Sequence, residues 1–161
     1  MTTEVSKNEF ERVMRPRINL HFDWSRFRAQ DAFTVEEVAL RSNEFSRVFA
    51  TWYYDYRSNR SANYDDVPRP TPLSIAAALP LRKQLKAVLV PRVEDYLRSF
   101  QAGDIPPVAP AYFLKRNRFL LLDGNHRMLA HHLGRIPHPI RLWAVKGPLE
   151  QSVVLDLRHW R

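Results

Sequence analysis

An apolar run, Leu120-Leu121-Leu122, ends in the polar box Asp123-Gly124-Asn125-His126-Arg127. The chain then restarts as Met128-Leu129-Ala130-His131-His132-Leu133-Gly134. A strand that delivers Gly, Asn, His and Arg into the first turn of a helix suits the holding of a phosphate. Unbonded backbone N–H groups at a helix start attract anions, Gly124 lets a ligand approach the main chain, and His126 and Arg127 add side-chain donors. Asp123 or Asn125 is also the right type to cap that helix, and Gly134 falls where a left-handed C-terminal cap is usual.

The elements expected around the box form two regions of a single domain spanning residues 1–161. Residues 1–103 read as mainly helical. The first thirty mix charge with Phe10, Phe22, Trp24 and Phe27 and suggest a short helix plus irregular chain. Thr34-Val35-Glu36-Glu37 reads as a capping box, and Val38, Phe45, Phe49, Trp52 and Tyr56 follow at helical spacing, which predicts one long helix over 34–56. Residues 58–72 hold Pro68, Pro70 and Pro72 among Ser, Asn and Asp, and so read as a loop long enough to be a lid. Helical spacing returns over 81–100, with Pro91 either kinking the segment or starting a second helix and Gly103 closing it. Residues 104–161 read as a compact core: strands 109–114 and 118–122 joined by a turn at Lys115-Arg116-Asn117, a helix over 127–133, and a strand over 140–145. The fold class is therefore α/β (α+β), a small mixed sheet with an N-terminal helical region.

Composition narrows the classes of function. The chain of 161 residues has no cysteine, which excludes disulfides, thiolate metal sites and cysteine nucleophiles. No apolar stretch is long enough to span a bilayer and the first residues lack the order of a signal peptide, so a cytoplasmic protein without membrane contact is expected. The net charge of +8 admits nucleotides or nucleic acid as partners. Lysine occurs only at positions 7, 83, 86, 115 and 146, so arginine carries most of that charge, without a basic tail or stripe.

Other chemistry-bearing residues have plainer readings. His131 and His132 are adjacent and point to different helix faces, which suits packing better than metal ligation. On the expected helix Trp52 and Tyr56 fall in the core stripe, while Tyr53 and Tyr54 are freer to stack on bases. Tyr64-Asp65-Asp66 sits in the loop that could close over a ligand. Lys115, Arg116 and Arg118 form the densest basic cluster, at a hairpin turn.

The run from Pro107 to Val145 resembles the core of the ParB/sulfiredoxin superfamily: a hairpin whose second strand ends in a Gly-containing polar box, a helix with Ala130 in its first turns and Leu133-Gly134 at its end, then Ile136-Pro137 leading to a strand. Sulfiredoxins carry Gly-Cys-His-Arg at the box; Asn125 stands at the cysteine position here, so sulfinic acid reduction is out. ParB-type partition proteins carry Gly-Glu-Arg-Arg and a helix-turn-helix domain after the core, for which the 27 residues after Gly134 are too few. The box is most similar to the Asp-Gly-His-His-Arg of ParB-like free serine kinases. Asp123, Gly124, His126 and Arg127 match it and Asn125 departs from it. The resemblance implies that Gly124, Asn125, His126 and Arg127 cradle the phosphates of ATP or another nucleotide. It also implies that Asp123 caps the helix or positions Mg²⁺, with Asp123 and His126 as the catalytic pair. It points to a Mg-dependent nucleotide phosphohydrolase or small-molecule phosphotransferase, with a ParB-like nucleic-acid-binding protein or nuclease, or a non-catalytic partner-binding module, as alternatives. No general base carries over; Asp65, Asp66, Glu94 and Asp104 are candidates by type.

Overall fold

The computed structural model describes residues 3–18, 21–58, 60–62, 71–81 and 89–160. Among them lie eight strands: β1 (Thr3–Val5), β2 (Thr34–Leu40), β3 (Val48–Asp55), β4 (Arg60–Ala62), β5 (Thr71–Ser74), β6 (Ala109–Leu114), β7 (Arg118–Leu121) and β8 (Ile140–Lys146). The helices are α1 (Lys7–Met14), α2 (Trp24–Ala29), α3 (Ile75–Ala78), α4 (Leu89–Gln101) and α5 (Asn125–Gly134), with 3-10 turns at Ser42–Arg47 and Leu155–Trp160. The strands form one mixed sheet in the order β1-β2-β8-β6-β7-β3-β4, with β5 also paired to β3. Pairs β6–β8 and β3–β7 are parallel and the others antiparallel.

The mixed α/β class is as the sequence implies, but the described part of residues 1–103 is not mainly helical. The predicted helix over 34–56 is instead β2, a 3-10 turn and β3. Glu36 and Glu37 do not cap a helix; Glu36 accepts from Lys146 Nζ on β8 at 2.5 Å and Glu37 from Trp143 Nε1 at 3.1 Å. In β3 the side chains alternate: Val48, Ala50, Trp52 and Tyr54 join one core cluster while Phe49 joins the other. A strand buried on both faces is a nearly continuous apolar and aromatic run, and a helical subset can be picked out of it by chance. The exposures of the aromatics reverse accordingly: Tyr53 (3%) and Tyr54 (0%) are buried, whereas Tyr56 is 60% exposed beyond the strand end.

The hairpin β6–β7 lies where expected, its turn carrying Arg116 and Asn117 at φ 61° and 58°. The odd and even residues of β7 again divide, Phe119 and Leu121 to one face and Leu120 to the other, which Leu122 joins just beyond the strand. On the first face α3, α4 and α5 cover the sheet; on the second sit α1, α2 and the C-terminal 3-10 turn, packed through Phe10, Met14, Phe27, Val154 and Leu157. The first thirty residues are thus more regular than their sequence suggests. Ser6 caps α1 by accepting from Glu9 N at 3.2 Å, and Asp23 caps α2 by accepting from Arg26 N at 3.0 Å.

Pro91 falls in the first turn of α4, where its missing N–H costs no hydrogen bond. Residues 82–88, with Lys83 and Lys86, lie outside the described residues, as does most of the predicted lid, including Tyr64, Asp65 and Asp66. Gly134 is not the left-handed cap of α5: that conformation falls to Arg135, at φ 48° and ψ 44°. Gly134 instead lets α4 approach, since a Cβ there would meet Leu97 Cδ1 at 2.5 Å.

Candidate functional site

Strand β3 has two successive neighbours besides β5. Val48 and Phe49 pair in parallel with Phe119 and Leu120 of β7, whereas Tyr53 to Asp55 pair with β4. Between those pairings β7 ends and the chain leaves the sheet into Leu122-Asp123-Gly124, so the box starts where two parallel strands part at their carboxyl ends. Such a place in a sheet commonly forms a ligand crevice. A cavity of about 780 Å³ opens there, within the range of small-ligand sites. It is lined by Leu122 to Arg127, by Thr51 of β3, by Arg92, Asp95 and Tyr96 of α4, and by Pro16 and Arg17 after α1.

All five box residues singled out from sequence therefore share one cavity, and each has a definite local role. Gly124 turns the chain at φ 86° and ψ 18°, the left-handed region, and its carbonyl accepts the first helical bond from Met128 N at 2.9 Å. A Cβ at Gly124 would lie 3.0 Å from Arg127 Nη2. Asp123 does not cap the helix: its carboxylate accepts from Arg127 Nη2 at 2.6 Å, in an ion pair whose side chains are only 25% and 15% exposed. Asn125 does not cap it either, because its Nδ2 donates to Thr51 Oγ1 at 2.7 Å across to β3. Among the described residues no side chain caps α5, and the N–H groups of Asn125, His126 and Arg127 are without intrahelical partners.

His126 is half-buried, edge-on to Trp52 with ring centroids 5.4 Å apart. Burial pushes its pKa below the ordinary histidine value, the nearby Arg92 charge adds to this, and Asp123 opposes it. Its Nε2 is buried and, among the described residues, without a hydrogen-bond partner, as is Asn125 Oδ1. The cavity thus holds a neutral imidazole, an arginine already neutralised by Asp123, and Arg17 and Arg92, which have no carboxylate partner among the described residues. The other lining carboxylate, Asp95, is paired with Arg98.

Sequence reasoning missed Thr51, Arg17 and Arg92. Arg92 had a signal, because Pro91 marks a helix start and the next residue occupies its first turn; Thr51 was hidden by the helical reading of β3. Of the proposed bases, Glu94 and Asp104 do not line the cavity. Asp104 accepts instead from Ser99 Oγ. The histidine pair is structural: His131 is buried with Nε2 against His138 O at 2.8 Å, and both rings lie beside Phe45. The basic hairpin tip is divided, since Arg118 lies over the rings of Phe49 and Trp160 at 5.7 and 5.5 Å.

Among the described residues no group of three or more His, Asp or Glu could hold a metal ion, and no helix is long and apolar enough to cross a membrane. No family model, curated protein or solved structure matches the chain.

Proposed function

We propose that the cavity at the β3–β7 fork binds the phosphates of a nucleotide, in the manner of the ParB/sulfiredoxin-like proteins that the box resembles, and that the protein is a nucleotide phosphohydrolase or small-molecule phosphotransferase. The observation that carries this reading is the uncapped start of α5, facing a cavity that also holds Arg17 and Arg92. Three backbone N–H groups and two arginines supply donors and positive charge where a polyphosphate needs both. In phosphoryl transfer most of the protein's work is positioning and charge neutralisation, and these groups suit it.

The chain's own residues support Mg²⁺ as the nucleotide's counter-ion, not as a resident ion. Among the described residues Asp123 and Asp95 are the only carboxylates lining the cavity, and each already has an arginine. Mg²⁺ is commonly held by one or two carboxylates plus substrate phosphates, and Asp123 is the residue placed to contribute. When bound with the nucleotide it neutralises phosphate charge. His126, which lines the cavity and is held neutral by burial, is the residue suited by type to be the general base. A ring nitrogen of His126 would take the proton of water or an acceptor hydroxyl as that oxygen bonds to the terminal phosphorus. The phosphorus–oxygen bond to the leaving diphosphate then breaks, and its electron pair departs on that oxygen.

Calorimetric titration of ATP and CTP, with and without Mg²⁺, tests the reading on the wild type and Arg92→Ala. Binding weakened by about tenfold or more in the variant is expected, since a hydrogen bond to a charged group contributes roughly 1.5–3 kcal/mol. Absence of binding by any nucleotide, or equal affinity in both proteins, would overturn it.

A further inference from the structure

We infer that Tyr96 is the platform on which the nucleobase stacks, so that the cavity selects nucleotides over inorganic polyphosphate. The inference rests on the nucleotide reading of the site. Tyr96 is one of few large hydrophobic side chains that the described part of the fold leaves exposed, at 37%, and it is the one among them that lines the cavity. Its ring has one aromatic neighbour among the described residues. It stacks on Phe100, one turn further along α4, with centroids 6.2 Å apart and planes at 22°, and Phe100 belongs to the core at 6% exposure. A ring anchored on one side by a buried aromatic, with accessible surface remaining on a cavity wall, is preorganised to accept a flat partner at little entropic cost.

Position along α4 agrees. Arg92 and Tyr96 are four residues apart and so lie one above the other on the same helix face. Arg92 serves phosphate charge while Tyr96, a turn away, offers an apolar plane, and the uncapped start of α5 belongs to the same cavity. The order of a nucleotide, charged at one end and aromatic at the other, is thus matched by a wall that is cationic and then aromatic. Every base has a π-face, so the platform supplies affinity without fixing which base is bound.

The test compares ATP with inorganic tripolyphosphate, both with Mg²⁺, by calorimetry on the wild type, Tyr96→Phe and Tyr96→Ala. Circular dichroism verifies that each variant keeps its helix content. Loss of a base–aromatic stack predicts an ATP affinity lower by about fivefold or more in Tyr96→Ala. Tripolyphosphate affinity should be unchanged in that variant, and Tyr96→Phe should bind both ligands like the wild type. Equal ATP affinity in Tyr96→Ala and the wild type would overturn the inference. So would a parallel loss of tripolyphosphate, or a Tyr96→Phe variant as weak as Tyr96→Ala, which would assign the effect to the hydroxyl. Tripolyphosphate binding to the wild type as tightly as ATP would refute base stacking and leave the phosphate site intact. Failure of both ligands to bind the wild type would overturn the underlying reading as well.

Discussion

Gly124→Ala is the sharpest perturbation of the box, because two costs act at that position and the molecule contains a control for one of them. The first is backbone strain. At φ 86° and ψ 18° an alanine pays about 1–2 kcal/mol for the left-handed conformation, offset by roughly 0.4–1 kcal/mol because the unfolded chain becomes less flexible. The second is local crowding: the new Cβ would stand 3.0 Å from Arg127 Nη2 and 3.3 Å from Nε, while Asp123 holds that guanidinium at 2.6 Å from the other side. Moving it weakens a mostly buried ion pair, about 1 kcal/mol at the upper end of the range for exposed pairs. Gly103 supplies the control, since it also has a positive φ, 103°, but a Cβ there would meet nothing within 4 Å. Urea unfolding followed by circular dichroism should place Gly103→Ala about 1 kcal/mol below the wild type and Gly124→Ala about 2 kcal/mol below it, given the two terms above. Only Gly124→Ala should lose affinity for tripolyphosphate. Equal destabilisation of the two variants, within the roughly 0.3–0.5 kcal/mol at which independent sites add, together with undiminished binding, would refute the argument that Gly124 is needed to seat the Asp123–Arg127 pair beside the start of α5.

Two further outcomes follow from the same contacts. Thr51→Val should cost about 1–3 kcal/mol by urea unfolding, because it strands the Asn125 Nδ2 donor, whereas Thr51→Ser should recover most of that loss; equal stability of the two would contradict a structural role for the hydroxyl. The pKa values of His126, His131 and His132 are all lowered, in each case chiefly by burial, so the unfolded chain takes up protons first as the pH falls. Their contribution to stability is complete above the ordinary histidine pKa of about 6.5 and is lost as the pH drops through and below it. The urea midpoint should therefore be lower at pH 5.5 than at pH 7.5, and a rise would reverse the sign of the argument.

How far the sequence discloses this molecule depends on the range of the signal. The hairpin, the box, α5 and β8 were legible because each is announced locally: Lys115-Arg116-Asn117 between two apolar runs, Gly124 after a strand, and Pro137 and Pro139 after a helix. Residues 34–56 were not, because β3 is packed on both faces and only the pairing of Val48 and Phe49 with β7 makes alternation the correct period. The same misreading concealed the site's depth. On a helix Thr51 would be one polar residue among many; on β3 it lies across the fork from Asn125. Arg17 and Arg92 come from elements about 75 residues apart and share a cavity with residues 122–127, a convergence made by topology and not by spacing.

The unused caps give the strongest physical reason to read this fork as a ligand site. A helix start with Gly at the cap forgoes roughly a few tenths of a kcal/mol and a side-chain acceptor that Asp or Asn would supply, and such residues flank Gly124 on both sides. Neither is spent that way. Asp123 is turned to Arg127 and Asn125 to Thr51, so two interactions that would be ordinary elsewhere keep both side chains off the first turn of α5. The same two contacts fix the box in place: one ties the turn to its own helix, the other ties the helix to β3. Rigid placement of unbonded N–H groups, with Arg17 and Arg92 beside them, lowers what an anionic ligand must pay to order its partners on binding. A histidine kept neutral by burial and by Arg92 adds a proton acceptor without cancelling that charge. The entering phosphate raises the His126 pKa back towards its ordinary value, so at neutral pH the imidazole stays available as a base, whereas below about pH 6.5 nucleotide binding should draw a proton onto it and tighten. Calorimetry in two buffers of different ionisation enthalpy measures that proton directly, and its absence from wild-type binding would place His126 outside the phosphate's reach.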